Sequence, residues 1–410
     1  MSSPSSANHT QTDFNIAGRS GAQQARGLVL ILGILTAIGP LAIDMYLPAL
    51  PEIASELGAD AGAVQLTLSV FMMGMAVGQA FYGPIADRFG RRAPLLAGLV
   101  VFSIAAFECA GAQSMRALLF WRLVMALGGS ASMVIPRAVV RDRFATKDSA
   151  RVYSALMLIL GVSPILAPTL GGWMLGATGW RAIFWVLSGV GIASTIAVAW
   201  GLEESLPPDK RTAGGLGPVL RTYGELLRNR SFLGVVLAAG LTLGGLFAYL
   251  SASAFVFIQL HGLTPSQYAL VFGLNAAGMI GASQLNLRLV GRFSLRGVLG
   301  TALFVNGLAG LALVLAAATG WGGLTGLIAL LFLSMSATGV IFPNISALAM
   351  APFGAVAGSA SALLGVFQFG LAAAAGAGIG LAHNGTALPM AIGLAACAVA
   401  AWGVFRTLAN

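Results

Sequence analysis

Apolar runs of 18 or more residues recur almost from end to end of this chain, and they constrain its fold more than any other feature. A helix of that length crosses the roughly 30 Å hydrocarbon core of a bilayer. Backbone in lipid must satisfy its own hydrogen bonds, so runs this long and apolar are read as helices. Twelve are legible, at about 28–50, 64–84, 94–112, 117–140, 152–176, 180–202, 232–257, 267–290, 296–318, 322–349, 356–382 and 386–406. Charged residues make up 9% of the chain, against roughly 25% in soluble proteins, which is too little to coat a water-exposed surface. The expected class is an all-α polytopic membrane protein, with twelve transmembrane helices in two six-helix bundles within a lipid bilayer.

The longest polar interruption, residues 203–231, divides the runs six and six. Residues 1–27 are rich in Ser, Gln and Asn and read as a disordered polar tail, with no cleavable signal pattern ahead of the first run at Leu28. Residues 28–202 then form an N-terminal bundle, 203–231 a cytoplasmic linker and 232–410 a C-terminal bundle. The linker's end, "LLRNRS", reads as an amphipathic stretch on the membrane surface. The 55 glycines suit membrane helices that approach closely.

The formal charge of +9 does not imply a nucleic-acid partner, because it is concentrated in the polar interruptions, where it sets topology. With both termini cytoplasmic, tails and loops on that side hold Arg19, Arg26, Arg88, Arg91, Arg92, Arg141, Arg143, Lys147, Arg151, Lys210, Arg211, Arg221, Arg228, Arg230, Arg288, Arg292, Arg296 and Arg406. That is 18 of the 22 basic residues. The other side keeps Arg116 and Arg181 with acidic Glu52, Glu56 and Asp60, and the reverse orientation would violate the positive-inside rule. Neither lysine, Lys147 or Lys210, lies in a G-x-x-x-x-G-K-[ST] phosphate loop, so no ATP motor of that type is encoded. His9, His261 and His383 lack metal-ligand spacing. Cys109 and Cys397 lie in apolar runs and read as small packing residues. No cofactor, metal or clustered catalytic set is expected, and so no enzyme.

Arg88-Phe-Gly-Arg-Arg92, between runs 2 and 3, is echoed by Arg292-Phe-Ser-Leu-Arg296 between runs 8 and 9. The offset of 204 (292 minus 88) suits two duplicated six-helix halves, a plan that transporters use. Gly83-x-x-x-Asp87-Arg88-x-Gly90-Arg91-Arg92 resembles the signature loop of the major facilitator superfamily. Gly39–Pro51 ("GPLAIDMYLPALP"), Arg137–Asp142 ("RAVVRD"), Gly179–Trp185 ("GWRAIFW"), Phe272–Val290 and Phe342–Gly365 are similar to the bicyclomycin/chloramphenicol-resistance (Bcr/CflA) drug:proton antiporters. The resemblance implies the major facilitator fold in a bacterial inner membrane, and a monomer that exports small amphipathic antibacterial compounds in exchange for protons. It also implies a cytoplasmic latch: Asp87 would face the N-terminus of run 11 near Gly358-Ser-Ala360, with Arg141 and Asp142 completing a charge cluster. The competing reading of that cluster is a topology marker only.

Charge inside a span is costly and usually functional. The few cases are Asp44 in run 1, Arg122 and Arg137 in run 4, and Glu108 near the outer end of run 3. Asp44 and Arg122 fall at similar depth, so they are the candidate proton-coupling pair, with a static ion pair as the alternative; Glu108 is a further candidate. In run 4 the position three after Arg122, where the family places Gln, is Met125. Run 5 carries Pro164, Pro168, Gly171 and Gly172, which match the family's antiporter motif at Pro168, Gly171 and Gly172. Its usual glycines are replaced at Ser163 and Ala167, and ordinary kinking is the plainer reading. An apolar substrate cavity with few polar groups is expected, with candidates Tyr46, Met133, Tyr249, Phe255, Asn275, Asn344, Phe367 and Gln368. The alternative cargo is a metabolite such as an amino acid or peptide.

Overall fold

The structure, a computed structural model, describes residues 9–143, 146–211 and 216–409. Long helices dominate it. They are α1 (His9–Asp44), α2 (Ala61–Phe89), α3 (Arg92–Ala110), α4 (Met115–Arg143, with a step at Ser130), α5 (Thr146–Thr178) and α6 (Trp180–Gly201). After a linker helix at Leu216–Arg228 come α7 (Arg230–Ala254), α8 (Pro265–Val290), α9 (Leu295–Thr319), α10 (Gly323–Met350), α11 (Ala357–Leu381) and α12 (Leu388–Leu408). Among the described residues eleven are long and apolar enough to cross a membrane, α5 being the twelfth expected span. The chain is a multi-pass membrane protein.

Polar residues at the turns supply the boundaries. Asp60, Ser114, Asn229, Thr264 and Ser294 each accept a hydrogen bond from a backbone N–H three residues on, satisfying a donor that the first helical turn leaves unpaired. The α2–α3 turn is closed by Gly90 at φ 90°, a conformation that residues with a side chain rarely adopt.

Two boundaries differ from the sequence expectation. The segment expected as a disordered tail is helical from His9 onward, because α1 continues upstream of Leu28; extending a helix needs no new nucleus. Residues 1–8 lie outside the described residues. At its other end α1 stops at Asp44, where an unbroken run to residue 50 was expected. Short helices at Leu47–Ala49 and Leu50–Glu56 follow, because Pro48 and Pro51 lack the backbone N–H that would continue the α-helical ladder to the carbonyls of Asp44 and Leu47.

Within the first half α1 packs on α5 and α6, α3 on α4 and α6, and α2 on α4. Within the second half α7 packs on α11 and α12, α9 on α10 and α12, and α8 on α10. The halves meet along two seams, α2 against α11 and α5 against α8. Small residues make the first seam possible: a Cβ on Gly62 would run into the Gly380 carbonyl. At the end near Asp44 the short helices after α1 also close onto α7 and its π-helical continuation Phe255–Leu260. At the arginine-rich end α4 has no extensive contact with α10 or α11 among the described residues. Large apolar side chains such as Leu270, Leu381 and Trp200 point outward, Trp200 with 90% of its surface exposed, as expected where lipid is the solvent.

Candidate functional site

The break in α1 leaves Asp44 on the last helical residue, buried where the two halves meet and with no hydrogen bond or ion pair among the described residues. Arg122 on α4 is fully buried close by, but it does not pair with Asp44. Its Nη1 donates to the Ala42 carbonyl at 2.9 Å. Its guanidinium lies 4.3 Å from the Phe71 ring centroid, 4.6 Å from Tyr46 and 5.8 Å from Phe184. This aromatic cage stabilises the cation through the ring faces, while Nε and Nη2 have no hydrogen-bond partner among the described residues. The static ion pair that the spacing left open is therefore replaced by a caged cation that grips the α1 backbone two residues before Asp44.

The second half faces Asp44 with neutral polar groups. The phenols of Tyr249 on α7 and Tyr268 on α8 lie close enough to feel its charge. Asn275 Nδ2 donates to the Tyr249 hydroxyl at 3.0 Å, and Tyr268 is 2.9 Å from the Ser253 hydroxyl. The Asn275 Oδ1 acceptor is buried without a hydrogen-bond partner among the described residues. A carboxylate, an unfilled amide acceptor and two phenols thus converge from α1, α7 and α8.

Helix α5 presses on this site. A Cβ on Gly171 would fall on the Met45 carbonyl, one residue past Asp44, and one on Gly172 would sit 3.6 Å from the Pro265 carbonyl of α8. Pro168 is buried; the Pro164 side chain lies outside the described residues. Of the run 5 motif, Gly172 thus faces the α5–α8 seam, while Gly171 packs on the backbone just past α1.

The arginine-rich end of the first half carries a second arrangement. Arg91, 3% exposed, donates from Nε to Asp142 at 2.9 Å and from Nη1 to Asp87 at 2.5 Å. Glu204, just past α6, accepts the backbone N–H groups of Arg91 at 2.8 Å and Arg92 at 3.2 Å. Arg92 donates to the Ala199 carbonyl, and Ser205 to Asp142 at 3.3 Å. Burial alone would loosen the Arg91 proton, but the Asp142 and Asp87 carboxylates outweigh it and raise the guanidinium's pKa. Burial likewise pushes the Glu204 carboxyl up, yet the N–H donors of Arg91, Leu206 and Arg92 and the Arg211 charge hold it below the usual carboxylate range. Arg141 lies 3.8 Å from Asp142, and Arg88 stacks over Phe89. Gly83 has open space around it. The cluster pins α2, α3, α4 and the end of α6 to one another, all within the first half. The described contacts of Asp87 are with Arg91 and, through charge, Tyr223 on the linker helix, which itself packs on α7 and α11.

The other expected residues are more scattered. Tyr46 is fully buried, hydrogen-bonded to Thr67 at 2.8 Å and enclosed in the Arg122 cage, so it packs the first half and does not line an open cavity. Asn344 pairs reciprocally with Asn286 at 2.7 and 3.1 Å, tying α10 to α8. Phe255 meets the His383 ring edge-on at 4.4 Å at the closed end. Met133 packs against Gly39, and Phe367 and Gln368 are half-buried on α11. Glu108 is half-buried at the end of α3 with no ion pair among the described residues. Sequence reasoning missed the cage partners Phe71 and Phe184, the acceptor Glu204, Asn286, and Gln65, Ser69 and Ser251, which are buried on the α2 and α7 faces without hydrogen-bond partners. A polar side chain inside an apolar run was the available signal for Gln65 and Asn286.

Comparison with known proteins agrees with this architecture. The sequence profile described as Major Facilitator Superfamily matches residues 32–377. The chain is 36% identical over 365 residues to the Uncharacterized MFS-type transporter YdgK of Bacillus subtilis, covering 88% of this chain and 90% of that one. It is 33% identical over 371 residues to the Bicyclomycin resistance protein homolog of Haemophilus influenzae, covering 90% and 93%. It is 31% identical over 339 residues to the Multidrug resistance protein MdtL of Klebsiella pneumoniae, covering 82% and 83%. A D-xylose-proton symporter shares the fold with a TM-score of 0.75 at 13% identity over 94% of this chain and 98% of that one. Twelve long helices in two halves, the Gly83–Arg92 loop and a match over most of the length lead to one conclusion: the chain belongs to the Major Facilitator Superfamily.

Proposed function

We propose that this protein is a proton-coupled efflux transporter that carries small antibacterial compounds of the chloramphenicol or bicyclomycin type across a bacterial inner membrane by alternating access. The observation that carries the reading is Asp44, a carboxylate buried between the halves, unpaired, and faced by neutral acceptors and phenols. Such a group is stable with a proton, or charged when water or the hydroxyl and amide N–H donors of a cargo reach it. Proton and cargo then compete for one place, which is the requirement for exchange. The bicyclomycin- and multidrug-resistance relatives support the drug class.

Each structural part takes a role in this reading. Caged Arg122 keeps α1 unwinding at a set point and Asp44 aimed at the interface. Gly171 and Gly172 let α5 lie against α8 and seal the Asp44 end against proton leak. Tyr249, Asn275, Met133, Phe367 and Gln368 line the cargo path. Asp87 reaches the start of α11 when the arginine-rich side closes, while the Arg91 cluster keeps that end of the first half rigid as it moves. The arginine-rich face is cytoplasmic, both termini lie on it, residues 203–231 link the bundles there, and the protein works as a monomer without enzymatic chemistry.

Inside-out vesicles carrying the protein should accumulate chloramphenicol or bicyclomycin when a proton gradient is imposed and lose the drug when it is collapsed. Gradient-driven uptake of amino acids or peptides with no drug competition would assign a metabolite cargo instead. Gly171→Leu should abolish coupled uptake by forcing α5 off the Met45 backbone, while leaving passive proton permeability higher than in the wild type. Unchanged coupling in that variant would remove the sealing role.

A further inference from the structure

The α2–α3 loop of the first half has a counterpart in the α8–α9 loop. Arg292, Phe293 and Arg296 repeat Arg88, Phe89 and Arg92, but Gly291 stands where Asp87 does and Leu295 where Arg91 does. Residues 232–410 contain no Asp or Glu. Arg288, Arg292 and Arg296 are accordingly exposed and form no ion pair among the described residues. Three cations within nine residues lie together in this loop with no protein counter-charge among the described residues.

Two grooves begin at this loop. One, of about 600 Å³, runs between α8, α9 and α10, lined by Leu289, Phe293, Ala302, Leu333 and Val340. The other, of about 470 Å³, runs between α9 and α12, with Arg296 and Arg406 at one end and Phe304 and Trp402 along it. Gly297 and Thr301 border both, so the grooves flank the first two turns of α9. The surrounding Leu287, Phe304, Leu308 and Leu333 are exposed, so both grooves open to lipid. The channels exist because Gly297, Thr301, Ala302 and Ala337 are small where neighbouring turns carry Leu and Phe.

We propose that this is a binding site for an anionic diacyl phospholipid of the surrounding bilayer, with its phosphate against Arg292 and Arg296 and one acyl chain in each groove, straddling α9. The fit is of charge and shape together: unpaired cations lie where a headgroup sits, above two adjoining apolar channels. Basic clusters at the ends of membrane helices attract anionic lipid. The first half is a built-in contrast, since Asp87, Asp142 and Glu204 already occupy Arg91 and the turn around it.

The test is native mass spectrometry of the full-length protein in detergent, titrated with phosphatidylglycerol or phosphatidylcholine of identical acyl chains. The wild type should retain phosphatidylglycerol at least about fivefold better. The double variant Arg292→Gln/Arg296→Gln should lose that preference, and Arg292→Lys/Arg296→Lys should keep most of it. Thr301→Trp, at an exposed position that borders both grooves, should lower retention while leaving the arginines in place. Arg116→Gln, on the opposite face, should change nothing, and millimolar inorganic phosphate should not displace the lipid. Equal retention of the two lipids by the wild type would overturn the site, as would a preference that survives both the glutamine pair and Thr301→Trp. Displacement by inorganic phosphate with Thr301→Trp silent would make it an anion site and overturn the lipid assignment. Should the glutamine pair fail to fold, the wild-type lipid comparison and Thr301→Trp decide alone.

Discussion

The two halves share a helical plan and hold it together by different means. The first half is tied by charge at both faces. At one, Arg91 joins Asp87 and Asp142 while Glu204 holds the turn. At the other, Glu56 accepts from Trp180 Nε1 at 2.5 Å and from Arg181, whose Nη2 also reaches the Ala112 carbonyl at 3.1 Å. The second half, with no acidic side chain, relies on amides and hydroxyls: Asn286 with Asn344, Asn306 with Ser334 at 2.6 Å, Asn275 with Tyr249. Paired charges with one buried partner are expensive to separate, whereas neutral hydrogen bonds between membrane helices are individually weak. The result is a division of labour: a stapled frame that carries Asp44, unpaired among the described residues, at the interface, and a neutral, more adaptable partner that leaves its cations outside and, in the proposed function, lines the cargo path.

The most damaging way to break this contrast is Arg91→Ala. It leaves largely buried Asp142 only Ser205 and the exposed Arg141, removes the Asp87 contact, and should lower stability in detergent by about 3 kcal/mol, read as a drop in thermal midpoint. A loss no larger than that of an exposed arginine would mean the cluster only marks topology. The matching cut in the second half, Asn344→Ala, leaves the Asn286 amide unpaired and should cost about 1 kcal/mol. If the two losses were equal, the claimed asymmetry between charge and amide fastening would fail.

Much of this was legible in the sequence, and the failures have physical causes. Helix number, the six-and-six division and the charge-rich loop follow from run length and arginine placement, because lipid permits few alternatives. That Arg122 comes close to the end of run 1 was also readable from opposite helix directions, since its Nη1 reaches the Ala42 carbonyl. Its relationship to Asp44 was not: whether Arg122 meets a carboxylate or aromatic faces depends on side-chain direction, and Phe71 and Phe184 look like ordinary core residues in an apolar run. The break after Asp44 was written in Pro48 and Pro51, yet hydropathy averages across it. Glu204 was hidden because its partners are backbone N–H groups, which no residue pattern reveals.

Acid provides a subtler way to sharpen the comparison. Glu204 is held below its usual range in the folded protein, so its contribution is fully present above the unfolded carboxylate value of about 4.3. It is lost as pH falls through the lower folded value. Hydrogen exchange measured while pH is lowered through that window should rise first around Arg91, Arg92 and Leu206, with the second half, which has no acidic side chain to protonate, changing later. Simultaneous loosening of both halves would contradict this. The smallest effect is expected from grafting an acid: Gly291→Asp beside Arg292 should shift stability by no more than about 0.5 kcal/mol, because the pair is exposed and solvent-screened. A gain above 1 kcal/mol would show that the second half lacks acids for some reason other than low benefit.

In the proposed function, proton coupling resides in the first half at Asp44, with Arg122 as its positioning cation. It is tested most directly by drug uptake into inside-out vesicles with and without an imposed proton gradient, comparing the wild type with Asp44→Asn. The wild type should accumulate chloramphenicol or bicyclomycin in a gradient-dependent way, and Asp44→Asn should lose the gradient dependence with drug binding retained. Gradient-driven accumulation that persists in Asp44→Asn would contradict it and move the search for the coupling carboxylate to Glu108.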